Sequence, residues 1–367
     1  MSFLTRRQAL GTAGWMLAGS ATGSTLAHGQ TAASVRLAPR ADLVNTLEYE
    51  EQAKLKLPPA MYSLVAGGSR AAFDRITLRP RLLVPTLDMD LGVTLFGDKL
   101  FAPIIVGPIG DQKRFHADGE LATVKGASAA KAVMVVSSHS SVPLPELAAQ
   151  ASTPLWYQVF ARDAAARTQI QDAVNAGCKA ICITMGAAAT GRQTAKPDWP
   201  VFDALKGGVS VPVLVKGIAT PAAAKVAVQH GVHGIVVSYD GGVVGPGSEA
   251  LILTLPHIVD AVDGKVPVFV DGSFRRGTDI LKALAFGAQG VLVGRPVMWG
   301  LAAYGADGVQ GVVELLQTEL ARYMGMCGKS RLEMLDRTIL KVHGVLPVKR
   351  AAASPTSATP FEEAWRG

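Results

Sequence analysis

The sequence predicts a (β/α)8 barrel, a TIM barrel, with a helical extension ahead of its first strand. The first observation is a rhythm. From residue 102 onward, short apolar runs recur every 22 to 33 residues: Ala102–Pro108, Ala132–Ser138, Pro154–Phe160, Ala180–Gly186, Pro212–Ile218, Gly234–Asp240, Pro267–Ser273 and Gly290–Pro296. Each run is continuous rather than alternating, as expected of parallel strands covered on both faces. The second observation is what separates them. Ala-rich segments of helical period lie between most runs, among them Ala117–Lys131, Asp163–Ala176, Pro221–His230 and Gly277–Phe286. Eight βα units in sequence read as a closed barrel. A doubly wound open sheet is the alternative, and the count of eight with even spacing disfavours it. The third observation is bulk: 367 residues, 49% hydrophobic and 18% charged, suffice for one large core and argue against disorder.

The remaining segments follow in order. Residues 1–33 have the layout of a secretory signal. Thr5-Arg6-Arg7-Gln8-Ala9-Leu10 precedes a mildly apolar run to Leu26, and Ala27-His28-Gly29 or Gln30-Thr31-Ala32 offers a cleavage site. The paired arginines predict the twin-arginine route and a periplasmic location; the alternative is an accidental Arg-Arg at an ordinary N terminus. The apolar run is short and rich in Gly, Ser and Thr, which disfavours a permanent membrane span. Residues 34–350 are expected to form the barrel unit. Within it, residues 34–100 should supply helices and a plug under or beside the barrel, and Gly308–Leu340 should be helical. Residues 351–367 read as a loose tail.

The formal net charge is +7, but Lys and Arg are scattered, so a nucleic-acid surface is not expected. Mild attraction for anions is. Cys178, Cys182 and Cys327 show no metal spacing, and an odd, sparse count argues against a disulfide framework; buried free thiols are expected.

The ends of the last two strands carry a candidate phosphate site. Strand seven runs into Asp271-Gly272-Ser273-Phe274-Arg275-Arg276-Gly277 and strand eight into Gly294-Arg295-Pro296. In barrels these two loops commonly bind phosphate. Their glycines admit backbone N–H groups, and Arg275 or Arg295 can add bidentate bonds. Either turn alone could be an ordinary Gly-rich turn with a solvated arginine; the two together are specific. Lys216 lies inside strand five, in Val213-Leu214-Val215-Lys216-Gly217. A lysine there is costly unless paired. It can stabilise an anionic ring edge at the mouth, such as that of a reduced flavin, or it can snorkel at the strand end.

These residues resemble the FMN-dependent 2-hydroxy-acid oxidase and dehydrogenase family, which includes glycolate oxidase, lactate oxidase and mandelate dehydrogenase. The resemblance covers residues 45–340. It rests on Phe73-Asp74-Arg75 with Leu78-Arg79-Pro80-Arg81, on Ala117-Asp118-Gly119-Glu120, and on Leu214-Val215-Lys216-Gly217. The strongest stretch is Asp271–Asp279, followed by Lys282-Ala283-Leu284-Ala285-Phe286-Gly287-Ala288 and Gly294-Arg295-Pro296. It implies a barrel, FMN, a small-molecule substrate and often a tetramer. By resemblance, Pro108, Ile109 and Gly110 belong to the loop that touches the flavin ring, and Ser137 matches the family's flavin-site serine on strand two. Gln158 and Thr184 would serve its pyrimidine side, with Lys216 and Ser238 from strands five and six. Asp271, Gly272, Ser273, Phe274 and Arg275 would hold ribityl and phosphate, and Gly294 and Arg295 would complete the cradle. Ser273 departs from the family's glycine.

The family's catalytic positions do not carry over. After strand six the family reads Ser-Asn-His-Gly-Gly-Arg, where His takes the substrate hydroxyl proton and Arg binds the carboxylate; this chain reads Ser238-Tyr239-Asp240-Gly241-Gly242-Val243. The family's two substrate tyrosines fall at Leu64 and Phe160. Its Thr-Val-Asp and Gly-Arg-Arg become Thr184-Met185-Gly186 and Gly191-Arg192-Gln193, and the segment from there to Trp199 is shorter than the family's lid. An aspartate, with a free pKa near ~4, is a weak base unless desolvated, and it repels a carboxylate. An ordinary 2-hydroxy acid is therefore a poor candidate substrate. One expectation is a repurposed FMN oxidoreductase with a neutral or cationic substrate, using Asp240 or His139 as acid/base beside Lys216. Tyr239 could donate a proton or simply pack, and His139 could instead be a plain surface histidine. The other expectations are a catalytically inactive flavin-binding protein, or a barrel that binds another phosphate compound.

Overall fold

Eight parallel strands close into a barrel, and the continuous apolar runs are its staves. In the computed structural model, residues 36–81, 84, 86–185, 198–239 and 250–344 are described. The signal segment, Gly186, Gly191 to Gln193, Asp240, Val243 and the 351–367 tail lie outside them. The staves are β1 (Ile104–Val106), β2 (Val133–Ser137), β3 (Leu155–Phe160), β4 (Ala180–Thr184), β5 (Val213–Ile218), β6 (Gly234–Val237), β7 (Val268–Asp271) and β8 (Gly290–Val293). Each pairs in parallel with its neighbours, and β8 returns to β1 with Val291 opposite Ile104, which closes the ring. Each strand falls within its predicted run. The runs were longer because the flanking Gly, Pro and Ser residues belong to turns.

Side-chain alternation sorts every stave into two faces. Ile104, Val106, Met134, Val136, Tyr157, Val159, Ile181, Ile183, Val213 and Val215 pack outward under the helices. Ile105, Val133, Val135, Trp156, Ala180, Cys182, Leu214, Val236, Phe269 and Leu292 fill the lumen. With both faces dry, no polar alternation is needed, which is why the runs read as continuous.

The predicted plug is a hairpin. Val93–Leu95 pairs antiparallel with Asp98–Leu100, and Leu95, Phe96 and Leu100 join the lumen cluster. The Phe96 ring centroid lies 5.6 Å from that of Trp156 and 6.1 Å from that of Phe269. Helices Thr46–Lys56 and Pro59–Val65 precede it, the first capped by the Asn45 side chain.

The C-terminal expectation needs correction. The helix begins at Arg295, well before Gly308, and ends at Met326; it kinks at Gly305, whose φ is 60°. A Cβ on Gly300 or Gly308 would run into the other's backbone, so these two glycines let the turns beside the kink touch. Beyond Met326 come short 3-10 turns and a strand, Leu340–Val342, which pairs with Ile76–Leu78. All three cysteines are buried and unbridged, and burial pushes the Cys178 and Cys182 thiols up to about 12.

Candidate active site

Chemistry changes along the lumen. One inward step above the apolar layer, six adjacent strands present Ser137, Gln158, Thr184, Lys216, Ser238 and Asp271. The first five are buried. Ser137 Oγ donates to Gln158 Oε1 at 3.2 Å, and Gln158 Nε2 donates to Thr184 Oγ1 at 2.9 Å. On the other side, Lys216 Nζ donates to Ser238 Oγ at 2.7 Å, and Ser238 Oγ donates to Asp271 Oδ2 at 2.9 Å. Lys216 Nζ also lies 2.9 Å from Asp271 Oδ2. Buried polar groups joined in this way avoid the desolvation cost that each would carry alone.

A backbone irregularity aims the lysine. The β5–β6 register shifts between Lys216 and Ile218, and Gly217 between them has φ 105°. The bulge keeps Lys216 on the lumen face while returning Ile218 to the outer core. At 7% exposure, Lys216 does not snorkel to solvent.

The loops after β7 and β8 bring two guanidinium groups together. Arg275 Nη2 and Arg295 Nη1 both donate to the Gly67 carbonyl, at 2.8 and 3.0 Å. Arg275 is 3% exposed and lies over the Trp299 ring, 4.7 Å from its centroid. Burial, and then the charge of Arg295, holds the Arg275 guanidinium well below the usual arginine range; burial likewise lowers Arg295. Among the described residues neither makes an ion pair with a carboxylate. Two adjacent cations without a counter-ion are a donor set suited to a dianionic phosphate. The Arg295–Met326 helix starts at this point, so its free N–H groups add to the same field. Gly272 has φ 107° and Ser273 has φ 60°, so the serine holds a left-handed conformation where the resemblance expects glycine. A Cβ on Gly294 would come within 3.3 Å of Ile109 Cδ1, which ties the β8 loop to the β1 loop.

The rim above Ser137 carries His139. Its Nε2 lies 3.1 Å from Asp163 Oδ2, and its ring stacks on Phe160 at 4.8 Å and 21°. Its backbone meets the β1 loop: Asp111 N donates to its carbonyl, and a Cβ on Gly110 would strike it at 2.7 Å. Gly110 therefore sits against His139, while Ile109 sits against the β8 loop.

Three positioning acids carry no signal that single-residue reading could use. Asp279, fully buried, accepts Arg275 N and Arg276 N through Oδ2, each at 3.0 Å, and Arg70 Nη2 through Oδ1 at 2.7 Å. Glu319 accepts Arg276 Nε and Gly277 N. Glu120, also fully buried, accepts Gln112 N and Ser141 N at 3.0 Å each, joining the loops after β1 and β2. Asp279 and Glu120 lay inside quoted motifs, but their partners are backbone N–H groups brought near by the fold. Asp163, the partner of His139, sits in a βα loop like many other acids.

Known proteins share this architecture. The FMN-dependent dehydrogenase family matches residues 63–196 and 185–342. A peroxisomal (S)-2-hydroxy-acid oxidase of Oryza sativa subsp. japonica is 35% identical over 82% of this chain and 96% of its own length. Glycolate oxidase of Spinacia oleracea is 34% identical, over 85% of this chain and 99% of its own. A mandelate oxidase crystal structure with (S)-2-phenylpropionate superposes with a TM-score of 0.77 at 35% identity, covering 83% of this chain and all of that one. An arginine-to-leucine variant of mandelate oxidase, with 2-hydroxy-phenylacetamide, matches equally well. The chain belongs to the FMN-dependent 2-hydroxy-acid oxidase family, and it is an FMN-dependent oxidoreductase.

Proposed function

We propose that this oxidoreductase acts on a small neutral or cationic donor rather than on a simple 2-hydroxy carboxylate. One contrast carries the reading. The inward ring from Ser137 to Asp271 is intact and hydrogen-bonded, whereas the positions where the family binds and deprotonates its acid read Val243, Gln193 and Asp240. A carboxylate brought there would meet an aspartate in place of the family's histidine, and valine and glutamine in place of its two arginines.

In this reading Arg275, Arg295, Gly272, Ser273 and Gly294 hold the FMN phosphate. Asp271 and Phe274 flank the ribityl chain. Pro108, Ile109, Gly110, Ser137, Gln158, Thr184, Lys216 and Ser238 surround the ring, with Lys216 poised at its pyrimidine edge. FMN held there would supply the hydride acceptor. The protein's own work is to orient the donor, exclude water and take a proton, for which Asp240 and His139 are the candidate residues. The variant relative's neutral 2-hydroxy-phenylacetamide supports an uncharged donor where an arginine is missing.

The test is anaerobic reduction of the bound flavin. With 2-hydroxy-phenylacetamide the flavin should bleach, and with mandelate, lactate or glycolate it should bleach at least about 100-fold more slowly. Rapid bleaching by those acids overturns the reading. No bleaching by any acid, amide, alcohol or amine supports the second reading, an inactive flavin-binding protein. We also propose export by the twin-arginine route to the periplasm, on the strength of Arg6-Arg7, and a homotetramer, on the strength of the family resemblance. Fractionation of an Arg6→Lys, Arg7→Lys double variant and light scattering of the purified protein test these.

A further inference from the structure

We infer that His139, held by Asp163, is the catalytic base, so that acid–base function sits in the loops after β2 and β3 rather than after β6. The inference rests on the function just proposed. A carboxylate oxygen only accepts, so the 3.1 Å contact with Asp163 Oδ2 commits the proton of His139 to Nε2. The neutral ring then carries its lone pair on Nδ1, which has no hydrogen-bond partner among the described residues. Stacking on Phe160 fixes the ring plane, and that stack needs no tyrosine hydroxyl.

The place is right as well. His139 lies in the turn two residues beyond Ser137, the last residue of β2, and its backbone N–H donates to Ser137 Oγ at 3.2 Å. Its carbonyl is bound by Asp111 N from the loop beside Gly110. Glu120 clamps that loop and Ser141 from below. Asp163 and Glu120 are positioning residues. The charged groups on the packed elements are Asp163 on one side and the Asp111–Arg114 ion pair on the other. In the reaction, the donor's C–OH becomes C=O. Its C–H bond breaks with the electron pair leaving to the family's FMN, and its O–H proton passes to Nδ1 of His139.

The experiment uses the FMN-loaded full chain with 2-hydroxy-phenylacetamide as donor. His139→Gln should slow flavin reduction by on the order of 100-fold or more. It should also abolish the acid-side fall of the rate's pH profile, while flavin content stays at the wild-type level. Asp163→Asn should lose on the order of tenfold, since a half-exposed contact is weakened by solvent. A readout independent of turnover comes from ring 15N spectra of the dithionite-reduced, FMN-loaded chain with 2-hydroxy-phenylacetamide, which binds with its hydroxyl but cannot pass a hydride to an already reduced flavin: the His139 resonance should shift on binding. An unshifted resonance, or wild-type rates in His139→Gln, overturns the assignment alone. A large loss in Asp240→Asn with His139→Gln unaffected also overturns it. A wild-type protein that no donor reduces overturns both this assignment and the function it rests on.

Discussion

The inward ring of β2–β7 and the rim above it grow from the same strands but are made differently. The ring sits on rigid staves, is buried, and has its polar groups tied to one another. The rim is half-exposed. His139 depends on one loop acid and one aromatic face. The comparison teaches where a barrel can change. Ring residues answer to one another, so altering one leaves a buried partner unsatisfied. Rim residues answer mainly to what enters the mouth, so they can be exchanged while the flavin cradle stays whole.

The comparison can be broken most sharply at Arg275. Arg275→Ala removes a buried charge-assisted donor and should weaken FMN binding by about 100-fold, read as the flavin-to-protein ratio after gel filtration. Full retention would refute its phosphate role. Next in size is a restoration of the family's residues after β6. Asp240→His with Val243→Arg should raise flavin reduction by mandelate by about 30-fold without changing flavin content, because one carboxylate-binding cation and an imidazole base return. Loss of flavin instead would show that the two regions are not separable. A smaller effect is expected at Asp279, which touches no ligand in this reading. Asp279→Asn should raise the FMN dissociation constant about tenfold, since the loop bearing Arg275 loses its anchor. Smallest is Ser273→Gly, which should raise unfolding free energy by less than about 1 kcal/mol by relieving the left-handed φ, measured by urea denaturation.

Much of this was legible in the amino-acid order. The staves were visible because two dry faces leave continuous apolar runs, and Lys216 stood out because a cation interrupts one of them. The two Gly/Arg turns marked the phosphate end. What stayed hidden depends on distance in the chain. Arg275 and Arg295 share the carbonyl of Gly67, more than 200 residues away, and no spacing rule foretells that. The last long helix starts at Arg295 rather than Gly308; Gly300 and Gly308 are close-contact points and only Gly305 bends the chain, a distinction that depends on neighbours the sequence does not show. His139 was legible as a histidine at the mouth; its role as a lone-pair nitrogen required Asp163, which only folding brings beside it.

The hairpin at the floor has a consequence for traffic. With Leu95, Phe96 and Leu100 wedged into the lower end of the lumen, the vessel has a floor and is loaded from the top. Under the proposed function, donor, oxidised product and electron acceptor would then share the mouth at the C-terminal ends of the staves. A large acceptor can reach the reduced ring only after the product has left, which predicts alternating half-reactions and places the selection of acceptors by size in the same loops that select the donor.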